Sequence, residues 1–256
     1  MDVVSETPLD AKPVKPPRAM LTAVGCAIGD YTMIRPGDRV LLGLSGGKDS
    51  LSLLHVLLHL RAKSPVQFDL AAATVDPQSP DFHPEPLRAY LAALRLPYFY
   101  ESYPIVKLAQ TSMAGDSFCA FCARLRRGML YKAARREGYN VLALAQHLDD
   151  LAETFLMSAF FGGKLRTMQA HYVNDDGDLR IIRPLIYVRE RQTAAFAKVA
   201  GLPVIVENCP ACFARPAQRQ NMKQTLAVLE GGHPRLFNHL RSALKPLLGT
   251  SPSLEG

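Results

Sequence analysis

The sequence predicts an α/β fold with a mostly parallel sheet flanked by helices, and three observations carry that expectation. Short apolar runs bounded by turn residues alternate with segments of helical periodicity. The runs read as strands buried on both faces, as parallel strands covered by helices must be. A Gly-rich loop joins the first such run to the helix after it.

Taken in order, residues 1–17 are Pro-rich and read as a loose arm. Met20–Met33 places Leu21, Val24, Ile28 and Met33 at roughly helical spacing and stops at Pro36-Gly37. Cys26 falls in this helix and reads as a small buried apolar residue. Arg39–Leu44 is the first strand, Ser45–Ser50 the loop, and Leu51–Arg61 the helix that continues from it. Phe68–Val75 is a second strand ending at Asp76-Pro77; Pro84–Leu94 is a helix and Tyr98–Glu101 a short strand. Cys119–Glu137 is a long helix, Val141–Ala145 a strand and Leu148–Phe161 a helix. Ile181-Ile182 is extended, Glu190–Ala200 helical, Val204–Val206 extended and Gln218–Glu230 helical. Residues 18–200 are expected to form the main domain, with the cysteine-bearing basic helix inserted in it. Residues 201–256 read as a smaller helical part.

The chain has 256 residues, 48% of them hydrophobic, which is enough for a real core. With 21% charged residues its composition gives no case for global disorder. No apolar run reaches the roughly 18 to 20 residues of a membrane span, and Met1–Pro17 carries prolines and mixed charges rather than an apolar signal core. A cytoplasmic protein with no membrane partner is expected. Lys and Arg exceed Asp and Glu by 30 to 23, a formal +7 that favours a polyanionic partner.

Ser45-Gly46-Gly47-Lys48-Asp49-Ser50 has the logic of anion capture. Adjacent glycines let backbone amides approach phosphate oxygens, the two hydroxyls add donors, and the helix N-terminus adds partial positive charge. Lys48 supplies a full one. The spacing is neither G-x-x-x-x-G-K-[ST] nor G-x-G-x-x-G. Asp149 and Asp150 open a helix after a buried strand, where ligands of open α/β sheets gather, and a Mg2+ ion bound with phosphate needs such oxygens. Either aspartate would equally serve as a cap. Asp76 ends the second strand and would cap its turn.

Four of the five cysteines form two C-x-x-C pairs, Cys119/Cys122 and Cys209/Cys212. Without an export signal, such pairs read as metal ligands or redox thiols rather than a disulfide framework. A closed zinc site, a redox dithiol and an iron–sulfur cluster on three thiolates all fit this spacing. Between residues 117 and 140, Arg124, Arg126, Arg127, Lys132, Arg135 and Arg136 stand against Glu137 alone. A charge run is usually a solvated face, but this one abuts a cysteine pair, which suits contact with an RNA backbone.

Ser45–Ser50 resembles the PP-loop of AMP-forming ATP pyrophosphatases, which adenylate a carbonyl oxygen and release pyrophosphate. Further motifs narrow the resemblance to the tRNA 2-thiocytidine synthetase branch, the TtcA family. They are Cys119-Ala-Phe-Cys122 followed by Arg124-Leu-Arg-Arg-Gly-Met-Leu-Tyr131, then Gln146-His-Leu-Asp-Asp150, Phe161-Gly-Gly-Lys164, Ile182-Arg-Pro-Leu185 and Cys209-Pro-Ala-Cys212. The resemblance runs from about residue 20 to residue 230 with the motifs in the family's order. It implies the PP-loop, adenine nucleotide alpha hydrolase-like fold. It implies ATP bound at Ser45, Gly46, Gly47, Lys48, Asp49 and Ser50, with nucleotide contacts around Ala73–Asp76, and catalysis by Asp49, Asp149 and Asp150. It implies a [4Fe-4S] cluster on Cys119, Cys122 and Cys212, with Cys209 spare and one iron left open for incoming sulfur. The implied substrate is cytidine 32 of a tRNA, and Arg124, Arg126, Arg127 and Lys132 of the basic run are the expected RNA contacts. The implied sulfur source is a cysteine desulfurase, and the implied assembly a homodimer. The chain departs from the family's Gly-His-His-Arg-Asp-Asp at Gln146, where the first histidine is expected, and at Leu148, where an arginine is expected.

Three rivals stand beside this expectation. A uridine thiolase would run the same chemistry on another base. An amide-forming adenylating ligase would need an ammonia source, and no glutaminase segment is evident. A zinc-stapled RNA-binding protein with a relict nucleotide fold would not need an intact Ser45–Ser50.

Overall fold

The computed structural model describes residues 12–79, 82–112, 118–205 and 218–249, without the side chains of 110–112 and 118–120. The chain begins with α1 (Arg18–Asp30), β1 (Asp38–Gly43), α2 (Lys48–Lys63), β2 (Phe68–Asp76), α3 (Glu85–Ala93) and β3 (Tyr98–Ser102). It continues with α4 (Ile105–Ser112), α5 (Phe118–Arg136), β4 (Val141–Ala143), α6 (Leu148–Gly162), β5 (His171–Val173) and β6 (Arg180–Ile182). The last described helices are α7 (Glu190–Val199), α8 (Gln218–Gly232) and α9 (Leu236–Leu248).

The strands form one sheet in the order β3-β2-β1-β4-β6-β5. All neighbouring pairs are parallel except β5 with β6. The parallel strands are apolar on both faces because helices cover both. Val40 and Leu42 of β1, Leu70 and Ala72 of β2, Val141 and Ala143 of β4, and Ile182 of β6 face the larger core. There they meet Val24 of α1, Leu54 and Leu57 of α2, Leu91 of α3 and Phe196 of α7. The intervening residues Leu41, Ala71, Ala73, Leu142 and Ile181 face the other way, onto Ile105 of α4 and Leu130, Ala133 and Ala134 of α5. The doubly covered α/β sheet expected from the sequence is therefore present.

This strand order fixes where a ligand can sit. The chain leaves β1 toward β2 and β3 on one side and returns to β4 and β6 on the other. A crevice opens at such a reversal, beyond the C-terminal ends of the two central strands. Ser45–Ser50 follows β1 and Ala145–Asp150 follows β4, so both motifs lie at that reversal.

Some expectations needed correction. Cys26 is exposed, because α1 turns Met20, Val24 and Ala27 inward instead. Residues 202–205 form no strand, and the Val204 amide turns back to the Leu202 carbonyl at 2.8 Å; Val206 lies outside the described residues. β5 and α4 were not expected, and α9 was not delimited within the helical part expected over residues 201–256. Just before α1, the Val14 amide donates to His55 Nδ1 of α2 at 3.1 Å. At the other end, α8 and α9 pack on α6 through Leu148, Ala152, Leu226 and Phe237. Leu244 and Leu248 of α9 reach the main core. Among the described residues, no helix is long and apolar enough to cross a membrane.

Candidate active site

The loop after β1 is built for close approach. Gly46 has φ +88°, a region that L side chains rarely enter. A Cβ there would stand 3.1 Å from Ile205 Cδ1 and 3.2 Å from Leu87 Cδ1. The backbone is pinned from above, because the Ile205 amide donates to the Gly46 carbonyl at 2.9 Å. Inside the loop, the Gly47 amide donates to Ser45 Oγ at 3.2 Å and Ser50 Oγ donates to the Gly47 carbonyl at 3.0 Å. The two serine hydroxyls lie 3.2 Å apart. Gly47 is the N-cap of α2 without a side-chain cap, so the amides of its first turn remain available to an anion. The geometry fits a phosphate cradle. Helix α2 starts at Lys48, three residues earlier than the apolar periodicity suggested, which places Lys48, Asp49 and Ser50 on its first turn.

Lys48 is already compensated. Its Nζ lies 3.0 Å from Asp49 Oδ2 and 3.0 Å from Glu190 Oε1. Burial would lower the lysine's pKa, but these two carboxylates raise it above the ordinary value. Glu190 in turn takes Lys223 of α8 at 2.6 Å. Burial raises the Glu190 carboxyl, yet Lys223 and Lys48 together hold it at about 2. Thr193 Oγ1 donates to Asp49 Oδ1. Helix α7 thus delivers two side chains that orient the loop's charged pair.

The carboxylates after β4 divide their work. Asp150 Oδ2 accepts the His147 amide at 3.0 Å, and the Asp150 amide donates to His147 Nδ1 at 3.3 Å, a reciprocal cap of α6. Because Nδ1 accepts, the proton of the neutral ring sits on Nε2. That atom faces Asp49 Oδ2 across 3.7 Å. Asp149 is heavily engaged. Its Oδ1 takes Arg189 Nε at 3.1 Å and Nη2 at 3.0 Å, and its Oδ2 takes the Glu190 amide at 2.7 Å. Three donors thus occupy most of the Asp149 carboxylate, and a Mg2+ ion would compete with Arg189 for it. The Asp149 side chain orients α7. Asp76 accepts from the Gln78 amide at 2.7 Å and from the Tyr100 hydroxyl, so it caps the turn after β2 on the same edge of the sheet.

Several of these residues escaped the sequence reading. Arg189 joins Asp149 to Glu230 of α8, through Nη1 at 2.7 Å and Nη2 at 2.9 Å, and its Cζ stands 3.2 Å from the Phe237 ring centroid of α9. Arg219 of α8 reaches Asp150 at 3.4 Å and Glu153 at 3.3 Å. Glu153 is buried, and desolvation together with the Asp150 charge pushes its carboxyl up to about 7 against Arg219 and Lys223. Only Arg189 carried a hint, standing before a helix start three residues ahead of Gln192. At the departure from the family motif, Gln146 Oε1 accepts from Arg183 Nε at 3.0 Å, tying the end of β4 to the buried arginine of Ile182-Arg-Pro-Leu185.

Cys122 is half-buried on α5 against the second apolar cluster. The Cys119 backbone belongs to the same helix, one turn earlier. The C-x-x-C spacing of the two on one helix is that of a chelating pair, which suits a thiolate-bound cluster. The Cys119 side chain, Cys209 and Cys212 lie outside the described residues. On the rest of α5, Arg124, Arg127 and Lys132 are exposed and Arg126 is half-buried. Arg135 is engaged by Asp176 and Asp178, and Arg136 by Glu101 and Glu137. The basic excess read from the sequence is thus partly neutralised by acids distant in the chain.

The PP-loop domain family matches residues 24–226. The tRNA-cytidine(32) 2-sulfurtransferase of Geobacter sulfurreducens is 41% identical over 225 residues, covering 87% of each chain. That of Deinococcus radiodurans is 42% identical over 246 residues, covering 92% of this chain and 81% of the relative. In fold, the chain is similar to the U34-tRNA thiolase NcsA of Methanococcus maripaludis with its [4Fe-4S] cluster. The TM-score is 0.74 at 21% identity, over 90% of this chain and 78% of that one. The chain belongs to the PP-loop family, in the branch of the tRNA-cytidine(32) 2-sulfurtransferases.

Proposed function

We propose that this protein is an ATP-dependent tRNA thiolase that replaces the C2 oxygen of a tRNA cytidine, at position 32, with sulfur. What carries the reading is a phosphate cradle whose Gly46 holds a left-handed φ with little room for a side chain, in a chain 41% identical over 87% of its length to a tRNA-cytidine(32) 2-sulfurtransferase.

ATP is the first substrate. The amides and hydroxyls of Ser45–Ser50 bind its phosphates, and Lys48 exchanges one carboxylate partner for phosphate oxygen. The cytidine C2 oxygen attacks the α-phosphorus; the bond to pyrophosphate breaks and the base is adenylated. A sulfur nucleophile then adds at C2, and AMP leaves with the oxygen. Asp49, held by Lys48 and Thr193, orients the cradle, and the Asp150 amide holds His147 Nδ1 so that Nε2 faces Asp49. Asp149 acts by positioning Arg189 and the start of α7. A magnesium ion, if one accompanies ATP, is held mainly by phosphate oxygens and water.

A [4Fe-4S] cluster on Cys119, Cys122 and Cys212 would supply a site at which sulfur can be held and presented. The remaining components are a cysteine desulfurase as the sulfur source, a homodimeric assembly, a cytoplasmic location, and a domain division near residue 200.

Two measurements test the reading. Ser45→Ala and Asp49→Ala are expected to abolish tRNA-dependent pyrophosphate release without loss of fold; undiminished ATP consumption in either variant removes the loop from the chemistry. Nucleoside mass spectrometry of tRNA from cells lacking the gene should show loss of 2-thiocytidine. Loss of 2-thiouridine instead would move the activity to the uridine class.

A further inference from the structure

The C-terminal end of α6 carries a surface that none of this chemistry uses. Phe160, Phe161 and Leu165 are 63%, 57% and 69% exposed, among the largest apolar exposures of the described residues. They fall in a continuous run of exposed residues, 160–166, that also contains Lys164 and Arg166. No acidic residue occurs from Thr154 to Asn174. An isolated exposed phenylalanine needs no explanation, but adjacent rings beside two cations in an acid-free stretch do.

The segment is held in shape. Gly163 ends α6 in the left-handed conformation at φ +59°. Ser158 receives the turn from both sides: the Lys164 amide donates to the Ser158 carbonyl at 3.1 Å, and Ser158 Oγ donates to the Lys164 carbonyl at 2.7 Å. Thr167 Oγ1 then donates to the Leu151 carbonyl at 2.7 Å, pinning the return of the chain along α6. The rings are thus presented by a fixed turn on a helix whose first residues cap the active site.

The surface also connects toward α5. Arg183 donates to the Gln169 carbonyl at 2.5 Å, and its Cζ stands 5.3 Å from the centroid of Tyr172. Tyr172 meets Tyr131 of α5, hydroxyl to hydroxyl at 3.3 Å, one turn from exposed Arg127.

From this we infer that Phe160 and Phe161, flanked by Lys164 and Arg166, form a stacking platform for unpaired bases of the RNA substrate. Aromatic faces accept any base, whereas phosphates demand cations; the segment offers both and no repelling carboxylate. The α6 helix spans roughly 22 Å at 1.5 Å per residue. The platform would therefore grip nucleotides removed from the reacting base and set the register of the loop. This inference rests on the reading of the protein as a tRNA-modifying enzyme.

The test is binding of an unmodified tRNA transcript to the full chain across a salt series. A base-paired RNA stem serves as the comparison ligand, and ATP binding and light-scattering mass are measured on the same samples. Phe160→Ala with Phe161→Ala should weaken tRNA binding about 5- to 150-fold for each base that loses its ring, with the salt slope unchanged. Affinity for the paired stem and for ATP should be unchanged. Phe160→Tyr with Phe161→Tyr should restore tRNA affinity. Lys164→Ala and Arg166→Ala should instead lower the slope of log affinity against log salt by about 0.7 to 0.9 for each lost contact. Wild-type tRNA affinity in the double alanine variant overturns the platform while leaving the thiolase reading intact. Unchanged tRNA affinity with a lower oligomeric mass makes the surface an interface between copies. Wild-type protein that binds no tRNA overturns both readings.

Discussion

Glu153 is a carboxyl group 4% exposed beside Asp150 and Arg219, and its proton stays on far above the pH at which a free glutamate loses it. The folded-state value of about 7 exceeds the ordinary 4.5. The folded chain therefore binds a proton that the unfolded chain has released. Stability from this group is full below pH 4.5 and is lost as pH rises toward 7. Glu153→Gln, which keeps an oxygen for Arg219, should remove that slope. It should be more stable than the wild type at pH 8 by on the order of 2 kcal/mol and about equal at pH 4.5. Chemical denaturation at both pH values checks this; parallel pH profiles for the two proteins would show that Glu153 is ionised at neutrality. Gly46 makes a second prediction. An alanine there must hold φ +88° with its methyl against Ile205 and Leu87. Gly46→Ala should cost about 1–2 kcal/mol in backbone strain alone and lose ATP binding; retained nucleotide affinity would show that the loop is not the cradle. Gly46 was legible in the sequence because turn chemistry is local. Glu190, Thr193 and His147 gained their roles through contacts between residues far apart in the chain, and no spacing announces those.

At the scale of elements, α5 shows what composition reveals and what it hides. Its cations are plain in the sequence, and its buried Leu130, Ala133 and Ala134 fix which face meets the sheet. Its true charge depends on Glu101, Asp176 and Asp178, which come from β3 and the turn before β6. Arg127→Glu with Lys132→Glu should therefore weaken tRNA binding and lower its salt slope by about 0.7 to 0.9 per lost phosphate contact. Arg135→Ala and Arg136→Ala should leave the slope where it is. If all four substitutions flatten the slope alike, the ion pairs open when RNA arrives. The strands read from the sequence were those buried on both faces, where an apolar run leaves few alternatives. β5 escaped because His171-Tyr172-Val173 is a three-residue edge strand with Val173 exposed. The helical reading of residues 201–256 did not delimit α9, although Phe237, Leu240, Leu244 and Leu248 keep helical spacing; Pro234 stands before it and Pro246 within it. Pro246 has no amide to donate, and only Leu247 and Leu248 follow it in the helix.

Over the whole molecule, the chain returns to the loop after β1 late in the sequence. Ile205 is hydrogen-bonded to Gly46 before the segment carrying Cys209 and Cys212, and Arg219 and Lys223 after it bond Asp150, Glu153 and Glu190. The described residues on either side of that stretch, Ile205 and Arg219, are thus both bonded to residues of the candidate site. Cys119 and Cys122 come from α5, whose Leu130 packs beneath the end of β1 near Gly43. Four thiolates would close a cluster; three leave one iron open to sulfur. We expect Cys119→Ala, Cys122→Ala and Cys212→Ala each to lose iron and 2-thiocytidine formation, and Cys209→Ala to keep a substantial share of both. Cys26→Ala, exposed on α1, is the control and should match the wild type. Iron content of anaerobically purified protein reads the metal apart from turnover. Loss of iron in Cys209→Ala with retention in Cys212→Ala would exchange the two roles. Equal loss in both would mean a site closed by four thiolates. Colourless protein that holds zinc would replace the cluster with a structural metal.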